Sequence, residues 1–286
     1  MNPITVTLAT ATPGGGFPAY GDAFAGAVMT ADPSITVTCQ NTKGSLENVN
    51  LLAEGSVDLG LVAGETAMAA LNSGKGITIL TAMYATPGMF ALRGDAPERS
   101  IEELLGKTIV WGAKSSGFVV LARQVMAGLG LDIERDFNPI LLDKAGDGPA
   151  MVLDGRAAAL WGGGAGWPGF AGVAKGEHGI RFLPPRAAEC VQILNADPTL
   201  QPMSLPAVSY VGQEAAIPSV GTWSLVLARP GLEEEAGYRL AAALHAARED
   251  IAKRLPQASE TTGENTLAAA SSAAMIHLGV RRFLRA

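Results

Sequence analysis

The chain has 286 residues, 48% of them hydrophobic and 17% charged, with a net charge of −6, which describes a folded protein long enough for two α/β domains. That balance excludes a general nucleic-acid surface, which needs clustered Lys and Arg; only the tail "RRFLR" is locally basic, and it reads as a solvated helix end. Cys39 and Cys190 are too few for a disulfide framework, His178, His245 and His277 match no metal-ligand spacing, and no apolar run nears the roughly 20 residues that span a bilayer, so neither metal nor cofactor is expected.

The predicted elements begin with a strand at Ile4–Thr10, the turn "PGGGF" and a helix from about Ala19 to Met29. "SITVTCQN" is the second strand, leading through "TKGS" to a helix over Leu46–Ala53. "EGSVDLGLV" holds a turn and the third strand, "AGETAMAAL" a helix, and "ITILTAMY" the fourth strand. "PGMFALRGD" (Pro87–Asp95) is an extended run leading away from this set.

The plan then repeats. "KTIVWGA" is a strand, "KSSG" a turn and "FVVLARQVMAGLG" a helix closed by glycine. "NPILLD" is the next strand, "KAGDGP" the turn and "AMVLDG" a helix end; "RAAALWGG" is the third strand, "AGWPGFAGVAKG" a helix, "IRFLPP" the fourth strand. Strand and helix alternating in this way imply parallel sheets of right-handed βαβ units, and one order occurring twice implies two domains of like topology. "SVGTWSLVLARPG" (Ser219–Gly231) is a second extended run, after which the helices from about Leu232 are expected to return to the first domain. The expected division is residues 1–88 with 222–286 as lobe one and 89–221 as lobe two, joined by two strands as a hinge. Glycine-rich loops at the carboxyl ends of the strands then face a ligand cleft, one jaw per lobe.

Helix starts offer free N–H groups and partial positive charge, which suits carboxylates. Ser45 reads as a helix cap or a ligand contact, and Glu47 as an acid favoured by the helix dipole. Ser115, Ser116 and Gly117 form the matching turn in lobe two. Glu65 and Thr66 open a helix after the third strand: Thr66 suits a ligand hydrogen bond, and Glu65 either holds an ammonium group or favours the helix start. Lys43, Lys114 and Lys144 fall in cleft loops and together favour an anionic ligand, although a loop lysine alone is usually solvated. Trp161 and Trp167 flank "GGGAG", and one of the two is expected to line the cleft rather than the core. Gly16, Phe17, Tyr20, Asn48, Thr86, Asp147 and Gly163 complete the candidate ligand-binding set. "GAGWPG" fits a dinucleotide fingerprint but stands at the third strand of its unit, and no nucleophile elbow, P-loop or H-E-x-x-H is present, so no catalytic residue is assigned.

At "GGGFPAYGDAFA", "NTKGSLENVNLLAEGSVDLGLV" and "GAKSSGF" the chain resembles the TAXI family, the extracytoplasmic solute-binding receptors of TRAP transporters. The resemblance extends over nearly the whole chain. It implies a type II periplasmic-binding-protein fold, two lobes each with a mostly parallel sheet flanked by helices. It also implies capture of a small carboxylate (an amino acid, dicarboxylate or aromatic acid), a periplasmic location with a signal peptide removed, and a TRAP-type permease as partner, with the receptor a monomer. Phe17 and Pro18 stand where that family has paired tyrosines, and Tyr20 is the remaining source of a hydroxyl there. Met1 leads almost directly into the first strand, which fits a cytoplasmic protein or one whose leader has been removed. The rival readings are an enzyme on the same fold, pyrimidine-synthase-like or deaminase-like, with Cys39 the thiol to test, and a ligand-sensing regulatory domain.

Overall fold

The computed structural model describes the chain except for Met1, Thr12, Gly14, Gly15, Ser115, Lys144 and Ala286. In chain order the first elements are β1 (Ile4–Ala9), α1 (Gly16–Ala31), β2 (Ile35–Gln40), α2 (Ser45–Glu54), β3 (Leu59–Ala63), α3 (Gly64–Asn72), β4 (Thr78–Pro87) and β5 (Met89–Arg93). Then come β6 (Thr108–Ala113), α4 (Gly117–Gly128), β7 (Asn138–Leu142), α5 (Gly148–Leu153), β8 (Ala159–Gly162), α6 (Pro168–Ala174), β9 (Ile180–Leu183), α7 (Ala187–Ala196) and β10 (Gln201–Leu205). β11 (Ile217–Ala228), α8 (Glu234–Ala246), α9 (Arg248–Arg254), α10 (Gly263–Ala269) and α11 (Leu278–Leu284) close the chain. Two compact units result, Met1–Tyr84 with Trp223–Ala286, and Ala85–Thr222. The chain passes from one to the other inside β4 and inside β11.

In the first unit β1 lies between β2 and β3, parallel to both, and the second half of β11 runs antiparallel to β3. Alternation along β3 decides which helices cover which face. Leu59 and Leu61 enter one core with Phe24 and Val28 of α1 and Leu240 and Leu244 of α8. Val62 faces the other way, into a core with Leu52 of α2 and Ala67 of α3. Each fully buried Leu contributes about 1.5–3 kcal/mol of transfer free energy, so the two-sided sheet is the stable solution. Arg239, 6% exposed, secures the chain's start: it donates to Asn2 O at 2.6 Å, Asp32 Oδ2 at 2.8 Å and Ser34 Oγ.

The second unit repeats the scheme with β6 between β7 and β8, all parallel. Ile109 and Trp111 enter the core shared with Val125 and Met126 of α4, whereas Val110 joins Val152 of α5 and Val173 of α6. Not every strand is parallel, however. β5 runs antiparallel to both β8 and β9, and β10 pairs antiparallel with the first half of β11. The βαβ pattern does not foresee these antiparallel partners: those of β5 come from distant parts of the chain, and β10 returns to β11 through a loop rather than a crossover helix.

Candidate functional site

Parallel strands bring their carboxyl ends to one edge of each sheet, and the next helices start there. In the first unit these are α1, α2 and α3. The turn into α2 is held by polar side chains on all sides. Gly44 has φ 109°, a conformation costly for any residue with a Cβ. Its N–H donates to Thr42 Oγ1 at 3.1 Å. Asn48, with no exposed surface, donates from Nδ2 to Thr10 O and Leu61 O, both at 2.7 Å, and its Oδ1 lies 2.7 Å from Thr42 Oγ1. Ser45 Oγ accepts the Ala63 N–H at 3.1 Å, which joins the start of α2 to the start of α3. Glu47 accepts the Lys43 N–H at 2.5 Å and so serves the turn, while the Lys43 side chain is exposed and unpaired among the described residues. Glu65 is exposed and Thr66 half-buried in the first turn of α3; Gly16 is exposed and Phe17 half-buried at the start of α1.

Two expectations in this unit need correction. Tyr20 has no exposed surface, and its hydroxyl lies 3.0 Å from Thr261 Oγ1, so it is a core residue rather than a ligand donor; burial raises its pKa. Asn48 likewise spends its amide within the unit. Tyr84 instead brings a phenol to this edge. Half-buried at the end of β4, it is hydrogen-bonded to Ser224. Its hydroxyl stands 3.8 Å from the Cβ position of Gly16.

In the second unit β6, β7 and β8 lead to α4, to a 3₁₀ turn (Ala145–Asp147) with α5, and to α6. Ser116 is the N-cap residue of α4, yet its hydroxyl makes no capping bond, and the buried Oγ has no partner among the described residues. Gly117 and Asp147 are exposed. Ser115 and Lys144 lie outside the described residues. Lys114 is exposed and paired with Asp143 at 2.9 Å. Thr86 is buried, and Gly163 packs against it and the Pro87 carbonyl.

Of the two tryptophans, Trp161 is a core residue, with no exposed surface and its Nε1 donating to Phe118 O at 3.0 Å. Its expected candidacy fails because β8 alternation turns it into the aromatic cluster with Phe90 and Trp111. Trp167 is half-buried, 4.7 Å from Phe118 and 4.9 Å from Phe170 between ring centroids. Its ring lies against Gly162 and Gly169, where a Cβ would come within 2.3 Å of it. The structure therefore brings Phe118, which the sequence reading passed over, together with Trp167.

Burial first, then the Asp22 charge, pushes the Cys39 thiol up to about 11, the reverse of an activated nucleophile. His277 is buried, with Nε2 3.0 Å from Leu232 O and Nδ1 accepting the Gly279 N–H. Among the described residues no three His, Cys, Asp or Glu side chains are grouped to hold a metal, and no helix is long and apolar enough to cross a membrane. A groove of about 490 Å³ does exist in the first unit. It lies at the amino ends of β1 and β3, and both of its arginines are already paired, Arg229 with Asp58 and Arg239 with Asp32.

Solved structures with this fold include several solute-binding proteins. A TctC solute-binding protein from Polaromonas is 19% identical, with 89% of this chain and 88% of that chain covered and a TM-score of 0.57. The periplasmic aliphatic sulphonate-binding protein SsuA of Escherichia coli is 15% identical over 89% and 75%, at 0.51. The BenM effector-binding domain with its effector benzoate is 14% identical over 87% and 94%, at 0.50. These likenesses show the fold, the two-lobed α/β architecture of periplasmic binding proteins. A family model described as NMT1-like matches residues 8–285, and the chain belongs to the NMT1-like family.

Proposed function

We propose that the protein is an extracytoplasmic receptor that captures a small organic anion and delivers it to a membrane transporter. The observation that carries this reading is the carboxyl edge of each sheet. There the starts of α2 and α4 direct first-turn N–H groups outward beside small hydroxyl side chains, with the exposed Lys43 on one edge. In this reading each unit offers one such edge. The solute-binding neighbours support the transport role. The TAXI resemblance makes the transporter a TRAP-type permease and the location periplasmic, and it narrows the anion to an amino acid, dicarboxylate or aromatic acid. Aromatic acids gain from the half-buried Phe118–Trp167 pair, which offers a flat apolar face.

The enzyme reading is the weaker one, since Cys39 is pushed away from the thiolate. A thermal-shift screen of amino acids, dicarboxylates, aromatic acids, sugars and cations tests the proposal, because a ligand that binds only the folded state raises the melting temperature by mass action. Shifts confined to acids are expected. Shifts confined to neutral sugars or cations would refute it.

A further inference from the structure

The loop between β10 and β11 has no role in the reading so far, yet it reaches the loop that carries Trp167. Tyr210, 7% exposed, donates its hydroxyl proton to Gly164 O at 2.7 Å and accepts the Trp167 N–H at 2.7 Å. One phenol thus fixes both ends of the segment that leads into α6. Its ring is held in turn by Phe182 at 5.4 Å and Phe170 at 5.9 Å.

The loop that carries Tyr210 is itself tightly determined. Gln213, 8% exposed, donates from Nε2 to Pro206 O and Ala215 O, both at 2.8 Å, and accepts the Ser209 N–H at Oε1. Its backbone carbonyl accepts the Val208 N–H at 2.9 Å. Within this frame Val208 is held at φ 61°, the left-handed region that a β-branched residue rarely enters. Such a conformation persists only where the surroundings over-determine it, and such sites cluster at ligand clamps.

We infer that Tyr210 is a positioning residue of the ligand site: its hydroxyl sets where Trp167 stands, and the β10–β11 loop exists in this form to hold that phenol. The inference rests on the proposed role of Trp167 in anion capture. It assigns no ligand contact to Tyr210 itself.

Tyr210→Phe keeps the ring and removes both bonds. It is compared with Ser209→Ala, which removes only the bond from Ser209 Oγ to Pro206 O inside the loop. Affinity is measured for benzoate, glutamate and succinate, beside the melting temperature and the hydrogen exchange of the Trp167 amide. Tyr210→Phe is expected to weaken binding of the acid that wild type takes on the order of tenfold. Trp167 amide exchange should accelerate while the melting temperature stays close to wild type, and Ser209→Ala should leave affinity and that amide unchanged. Faster exchange with unaltered affinity would overturn the inference, as would an equal loss of affinity in Ser209→Ala. If wild type binds none of the three acids, the proposed function has failed for them. The exchange data then judge the positioning alone: local acceleration at Trp167 in Tyr210→Phe supports it, and unchanged protection overturns it.

Discussion

Trp161 and Trp167 bear the same side chain on opposite ends of one glycine-rich loop, and burial separates their roles. Trp161→Ala would open a cavity beside Phe90 and Trp111 and cost about 3–5 kcal/mol in a denaturant titration. Trp167→Ala should instead lose at least tenfold in ligand affinity, at a smaller cost in stability, if ligand desolvates the ring. Asp32 supplies a prediction of another kind. The Ser34 hydroxyl, then the Arg239 guanidinium, lower its pKa from 3.8 to about 2. A depressed carboxyl contributes stability that is complete above its unfolded pKa and lost as pH falls through the folded one. Melting temperature should therefore decline between about pH 4 and pH 2 in wild type, and Asp32→Asn should flatten that part of the curve. An identical acid slope in the variant would show that Asp32 is not linked to folding. Some of these residue roles were readable in advance. Tyr20 falls in helical register with Phe24 and Val28, so its burial follows from the period. Trp161 alternates with Ala159 on a strand, and both enter the same core. Tyr210 gives no comparable signal, because its partners Gly164 and Trp167 are close only after folding.

Among the elements, β8 and α6 show why glycine dominates the second unit's edge. Gly162 and Gly169 leave the space that the Trp167 indole fills, and a methyl at either position would meet the ring at 2.3 Å. Gly162→Ala should displace the indole and weaken acid binding, and a crystal structure of the variant should show the ring moved away from β8. Retained affinity with an unmoved ring would mean that the glycines serve only the turn. The βα units were legible in the sequence because apolar alternation, a glycine turn and a helix recur in one order, as at Leu8–Phe17 and Trp111–Phe118. The start of α1 lies earlier than the pattern implied, at Gly16, since Pro18 is tolerated in a first helical turn. β10, α7 and the antiparallel partners of β5 and β11 were not legible. The pairings of β5 with β9 and of β11 with β3 join segments far apart in the chain, for which local periodicity holds no information.

For the whole molecule, two sheets built to one plan fit the proposed role in ligand capture. Saturating acid should stabilise the protein as a linkage effect, about 2.7 kcal/mol at a hundred times the dissociation constant. Since the carboxylate is assigned to helix starts and Lys43 rather than to a buried arginine, raised salt should weaken its binding at the exposed Lys43. The most direct test is a crystal structure with the acid that gives the largest thermal shift. A carboxylate is predicted within hydrogen-bond distance of first-turn N–H groups of α4, with the rest of the molecule against Trp167. An acid seated instead in the groove at the amino ends of β1 and β3, beside Arg229 and Arg239, would contradict it.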